Sequence, residues 1–357
     1  MKIKLFLFIV IFNIFQAKEQ NPLLNKDQRF LTKNHEKKNL IITVITKYNW
    51  DSIAIFFNSI KNSNIKNCDI VTFVANMTQN TIDKIKSTKV KVLPMPEKYI
   101  KESIINSRWK IINDYLDDNP NKYRYVFTSD TRDVFFQDDP FKYYNMQKPY
   151  LGIAIEDDTL EERINKEWII NAYGEEKHNK IKNERIFCVG TVWGTVDKFY
   201  EFAQLMWDNL SSDWSKEKKV IEQAVGNYLI YYDKKFSDCL VKSNNNDGYV
   251  LTIGLTSNDK ILMNLNFDIF NAQGKKAAVI HQFDRRKELV TKAYKKYYPE
   301  YLDETNKYII VSIILFIMFV IFLSNNYRKL SLKNKDESFR LIKTNDDDES
   351  YNQKLKL

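Results

Sequence analysis

A chain of 357 residues with a formal net charge of +9 is long for one compact domain, so segments outside a packed core are set aside first. Its Lys and Arg residues are spread along the sequence and form no basic stripe, which argues for a solvated surface and against nucleic acid as partner. Three cysteines, Cys68, Cys188 and Cys239, give neither a disulfide framework nor a metal-ligand spacing, and 8 glycines leave no Walker loop or dinucleotide fingerprint.

The first segment, residues 1–17, carries Lys2 and Lys4, an apolar run from Leu5 to Phe15 and a small residue at Ala17. That is the pattern of a secretory signal peptide, and its apolar run is short for a membrane span. Residues 18–38 are polar and without periodicity, as expected of a stem or spacer.

From Asn39 strands and helices alternate. "LIITVIT" is a β-branched run of strand length, and "WDSIAIFFNSIKN" spaces Trp50, Ile53, Ala54, Phe57 and Ile60 as one face of a helix. "DIVTFVA", "KVKVLP" and "YRYVFTSD" continue as strands, with helices near "QNTIDKIKS" and from about Ile100 to Leu116. After Tyr150 come strands at "YLGIAIE", "RIFCVGTVWGT", "GYVLTIG" and "AAVIHQF", and helices at "VDKFYEFAQLMWDNL" and "EKKVIEQAVGNYLIYY". The order predicts an α/β fold with a Rossmann-type mixed, mostly parallel sheet flanked by helices.

"YIIVSIILFIMFVIFLS", Tyr308 to Ser324, contains no charge and, at 1.5 Å per residue, reaches about 25 Å, enough for a thin bilayer. We expect a lumenal domain over 39–305, one transmembrane helix over 306–324 and a cytoplasmic tail over 325–357. Arg328, Lys329, Lys333 and Lys335 follow the span, which places the tail inside and the folded domain lumenal or extracellular. The sequons at Asn76 and Asn209 agree with a secretory-pathway membrane protein of the ER, Golgi or cell surface.

Asp130 and Asp133 close the strand "YRYVFTSD", and ligands of a parallel sheet bind outside the carboxyl ends of its strands. Two carboxylates there repel unless compensated, and hard oxygen donors suit Mg²⁺ or Mn²⁺. A turn cap at Asp130 and an ion pair between Asp133 and Arg132 or another basic residue account for the same residues without a metal. Asp138 and Asp139, beside Pro140, read as turn residues outside any site.

"YVFTSDTRDVFFQDDPF" resembles the metal-binding element of the GT-A fold glycosyltransferases, in which a short acidic motif after a strand holds Mn²⁺ and a nucleotide-sugar diphosphate. The usual Asp-x-Asp is one residue longer here, Asp130-Thr-Arg-Asp133. "NSRWKIINDYL" resembles the preceding helix, whose basic residue, here Arg108, reaches the nucleotide. "IFCVGTVWGT" resembles the sugar-pocket segment, with Gly190 and Thr191 at its core and Cys188 near the place of a missing Asn. "IEQAVGNYLIYY" resembles the acidic-Gln helix facing the transferred sugar, which makes Glu222 and Gln223 the catalytic candidates. "AAVIHQFDRR" places His281 where a late His completes the metal site, and Arg285 where a cation can face the diphosphate. Thr46 and Asn49 then lie against base and ribose. The resemblance spans Asn39 to Pro299 and implies transfer of a hexosyl group from a nucleotide-sugar donor to a glycan, protein or lipid acceptor. The irregular acidic spacing and the missing Asn leave one alternative, a catalytically silent lumenal receptor or scaffold with the same fold. A phosphohydrolase of the Asp-x-Asp type fits less well, because position 132 is Arg.

Overall fold

The computed structural model describes residues 37–100, 103–142, 148–303 and 307–328; the signal peptide, most of the stem and nearly all of the tail expected above lie outside the described residues. The chain divides into two compact units, Met1–Tyr298 and Pro299–Leu357.

The first unit is built on β1 (Lys38–Thr46), β2 (Cys68–Ala75), β3 (Lys91–Pro94), β4 (Tyr123–Ser129), β6 (Leu151–Thr159), β7 (Arg185–Thr195) and β8 (Leu240–Asn244), with β5 (Val134–Phe136) leaving the main sheet between β4 and β6. The strand order is β3-β2-β1-β4-β7-β6-β8. β7 runs antiparallel to both neighbours and all other pairings are parallel. This is the mixed, mainly parallel sheet that the alternation of strands and helices leads one to expect.

Side-chain alternation along β1 explains why the sheet is covered on both faces. Leu40 and Ile42 join a core with Trp109 and Ile112 of the helix Ile104–Asp118 and Phe199 and Phe202 of the helix Val196–Leu210. Ile41 and Ile45 pack on the other face against Trp50, Ile53 and Phe57 of the helix Trp50–Asn62. Asn49 caps that helix, its Oδ1 accepting from the Ser52 N–H at 3.0 Å.

Two predicted elements differ. "VFFQDDPF" is expected to return to the main sheet, but β5 instead joins β9 (Val250–Thr252) and β12 (Val279–His281) in a separate sheet ordered β5-β12-β9. Its apolar side, Phe135, Leu251, Ile280 and Phe283, needs its own cover, supplied by Leu289, Ala293 and Tyr297 of the helix Lys287–Tyr297. Beside it lies the hairpin of β10 (Ile261–Met263) and β11 (Ile269–Asn271). The single helix expected over "EKKVIEQAVGNYLIYY" is broken: Asp213–Lys218 ends at Lys219, whose φ of +51° is left-handed, and Ile221 is extended. The helix restarts as Glu222–Asn227 and widens into a π-helical turn at Tyr228–Tyr232. The break places Glu222 and Gln223 in a first turn.

In the second unit, Pro299–Arg328 is one helix long and apolar enough to cross a membrane by length and composition.

Gln137 ties the small sheet to the hairpin. Its Nε2 donates to the carbonyls of Ile269 and Ala277, both at 3.0 Å, and its Oε1 accepts from Ile269 N–H at 2.8 Å. Gln137→Ala leaves these backbone groups without that partner and is expected to cost about 1–3 kcal/mol. Urea unfolding checks it as a lower midpoint with unchanged slope.

Candidate active site

Strand register assembles the site. Asp130 to Asp133 form the connection by which the chain passes from β4 to β5, that is, from one sheet to the other. β12 pairs antiparallel with β5 so that His281 stands opposite Val134, the residue after Asp133. His281 Nε2 therefore lies 3.9 Å from Asp130 Oδ2 and 3.8 Å from Asp133 Oδ2. Ligand atoms of these three residues all fall within 4.8 Å of one another. Arg132, between the two acids, pairs with Asp284 at 3.0 Å and not with Asp133. Asp138 and Asp139 are turn residues: Asp138 accepts from Asp139 N–H and Asp139 from Phe141 N–H.

The set fits a divalent cation on its own chemistry. Burial pushes the Asp133 carboxyl up, His281 opposes that shift, and the charge of Asp130 adds to it. Carboxylate oxygens with one imidazole suit Mn²⁺ or Mg²⁺. Gly190 makes the cradle: a Cβ there would stand 2.4 Å from His281 Cε1 and 2.8 Å from Asp130 Oδ2.

Arg108 is buried, at 7% exposure, and braces the site from below. It donates to Asp130 Oδ1 at 2.7 Å, to Glu222 Oε1 at 2.8 Å and to the Val189 carbonyl at 3.1 Å. Trp109 Nε1 donates to the other oxygen of Glu222 at 2.9 Å. Burial, with the charge of Asp130, raises the Glu222 pKa to about 7 against the pull of Arg108 and Trp109.

A bulge in β7 aims the next group. Ile153 pairs with Val192 but Ala154 with Cys188, so Val189, Gly190 and Thr191 are extra on β7 and leave the β6 ladder. Gln223 takes up the freed backbone: its Oε1 accepts from Val189 N–H at 3.0 Å and its Nε2 donates to the Phe187 carbonyl at 2.7 Å. Gly190 O still accepts from Asp130 N–H at 2.9 Å.

Two cavities meet at the acidic cluster. One, of about 230 Å³, is lined by Val44, Thr46, Tyr48, Ile104 and Arg108. The other, of about 260 Å³, is lined by Glu156, Asn165, Gly190, Gln223, His281 and Arg285. Asp130, Asp133 and Glu222 line both. Of the residues selected from the sequence, Thr46 lines the first cavity with its hydroxyl bonded to Ala75 O. Asn49 is spent on its helix cap and lines neither cavity, and Thr191 is fully buried and lines neither. Arg285 is exposed at the second cavity.

Sequence reasoning passes over Glu156. Burial pushes its carboxyl up, with Cys188, His281 and Arg285 opposing, and it lies in the cavity with His281. The only signal was its place at the end of the apolar strand "YLGIAIE". Sequon Asn76 is exposed after β2, whereas Asn209 is half-buried on a helix with its amide donating to Leu205 O.

No protein-family model and no curated protein matches the chain. The structure is similar to two solved structures of the galactosyltransferase LgtC, one in complex with donor and acceptor sugar analogues and one of an active-site mutant. Each is 12% identical and aligned over 72% of this chain and 95% of that one, at TM-scores of 0.44 and 0.45. What the site can do is therefore read from its own residues.

The raised pKa of Glu222 has a defined sign. The folded chain holds this proton more tightly than the unfolded one, so the contribution to stability is full below about pH 4.5 and declines as pH rises to about 7. Glu222→Gln should flatten that decline by on the order of 3 kcal/mol, read from unfolding midpoints across this window without metal. Gly190→Ala should keep the fold but displace the His281 ring; titration with Mn²⁺ checks the expected loss of affinity.

Proposed function

We propose that this chain is a metal-dependent glycosyltransferase moving a hexosyl group from a nucleotide sugar to an acceptor hydroxyl. One observation carries the reading: Asp130, Asp133 and His281 converge where two cavities share their acidic wall, so that a donor's diphosphate can sit between a nucleoside on one side and a sugar on the other.

The three residues hold Mn²⁺ or Mg²⁺, and the cation, when bound, supplies Lewis-acid stabilisation to the departing diphosphate. The first cavity takes the nucleoside, with Tyr48 and the aliphatic Val44 and Ile104 as walls. Arg285, exposed at the second cavity, offers its guanidinium to phosphate oxygens. Glu222 and Glu156 place carboxylates around the sugar, Glu222 held against Arg108 and Trp109 so that its oxygens keep one orientation. Gln223 fixes the bulge that presents Gly190.

The apolar helix Pro299–Arg328 supports a single-pass anchor, and the basic residues after it support a lumenal or extracellular catalytic unit in a secretory-pathway membrane, acting on a glycan, protein or lipid.

Calorimetry of UDP and GDP on the full chain in detergent, with and without Mn²⁺, tests this reading. Binding of one nucleotide should require metal and be lost in Asp133→Ala, and the matching nucleotide sugars should be hydrolysed slowly. No binding of either nucleotide, or binding without turnover of any donor, would overturn the transferase reading and favour the silent receptor.

A further inference from the structure

The group behind His281 is a cysteine. Cys188 Sγ lies 3.6 Å from His281 Nδ1, and both residues are buried, at 4% and 1% exposure. Among the described residues this sulfur is the one hydrogen-bond partner of Nδ1. Cys188 is the last β7 residue in register with β6 before the bulge, so the bulge that carries Gly190 under the acids also fixes the sulfur. Gln282 turns the chain immediately after His281 with a left-handed φ of +61° and donates its Nε2 to Cys188 Sγ at 3.6 Å and to Glu156 Oε1 at 3.3 Å.

We propose that Cys188 is a positioning residue for the metal site: its sulfur accepts the Nδ1 proton of His281, leaving the Nε2 lone pair to face Asp130 and Asp133. A histidine ligand needs its second nitrogen bonded to fix tautomer and ring orientation. Sulfur lone pairs face both the Nδ1 proton and the Gln282 amide, each at 3.6 Å, and the same amide reaches Glu156 Oε1 at 3.3 Å, so the sulfur and Gln282 tie the metal ligand to the carboxylate of the second cavity.

The inference rests on the metal reading above, and the test separates the two. Mn²⁺ is titrated calorimetrically into the full chain in detergent, as wild type and as Cys188→Ala, Cys188→Ser and Cys188→Val, with melting curves of the metal-free proteins recorded alongside. Wild type that binds no Mn²⁺ overturns the metal reading, and this proposal with it, before any variant is compared. Given wild-type binding, Cys188→Ala and Cys188→Val should bind about 10–100-fold more weakly, while Cys188→Ser, which restores a hydroxyl able to accept the Nδ1 proton, should recover most of that loss. If Cys188→Ala does not fold, Ser against Val decides, since the two differ little in volume. Wild-type affinity in Cys188→Val, or a Ser variant as weak as Val, overturns the proposal.

Discussion

The site depends on one buried cation. The Arg108 guanidinium sits between Asp130 and Glu222, two carboxylates 92 positions apart in the chain, and a single ion so placed offsets part of their repulsion across a cavity. Burying such charges is costly unless they are paired and hydrogen-bonded, and here Trp109 Nε1 and the Val189 carbonyl complete the pairing. The helix Ile104–Asp118 positions Arg108, and it packs on the sheet through Trp109 and Ile112, so core packing and site electrostatics act through the same helix. Among the described residues Asp133 forms no ion pair with a Lys or Arg; His281 Nε2 stands 3.8 Å from it, and a buried carboxylate so placed suits a divalent ion.

The second constraint is the junction of two sheets. Asp130 to Asp133 cross from the main sheet to the small one, and the pairing of β12 with β5 brings a residue from the far end of the unit to the first acidic turn. The β7 bulge supplies the remaining geometry. Its freed backbone is held by Gln223, which means the Glu222–Asn227 helix both presents a carboxylate and fastens the strand opposite it.

Much of this was legible locally. β-branched runs identified β1 and β2, the apolar spacing of Trp50, Ile53, Phe57 and Ile60 identified the first described helix, and β7 matched its run, Arg185–Thr195. Asp130 and Asp133 could be singled out as acids at a strand end, and His281 through the resemblance, which implies a late His at the metal site. What was not legible depends on long-range register. β5 leaves the main sheet because β12 pairs with it, and no periodicity within three residues can show that. Arg108 is singled out by the resemblance as a nucleotide contact, but its bracing of Glu222 and Asp130 shows only when both are seen on either side of it. Glu156 gains its place from Gln282 and Cys188, both distant in sequence. The role of Asn49 had a usable signal, an Asn directly before an amphipathic run with Ser52 three residues on, which is an N-cap pattern.

The central claim is that Asp130, Asp133 and His281 share one divalent cation. Anomalous diffraction at the manganese edge from crystals grown with Mn²⁺ and a nucleoside diphosphate tests it most directly. The account requires a single strong peak within coordination distance of all three side chains and of the diphosphate. A diphosphate held there with no such peak, or a peak coordinated elsewhere, would contradict it.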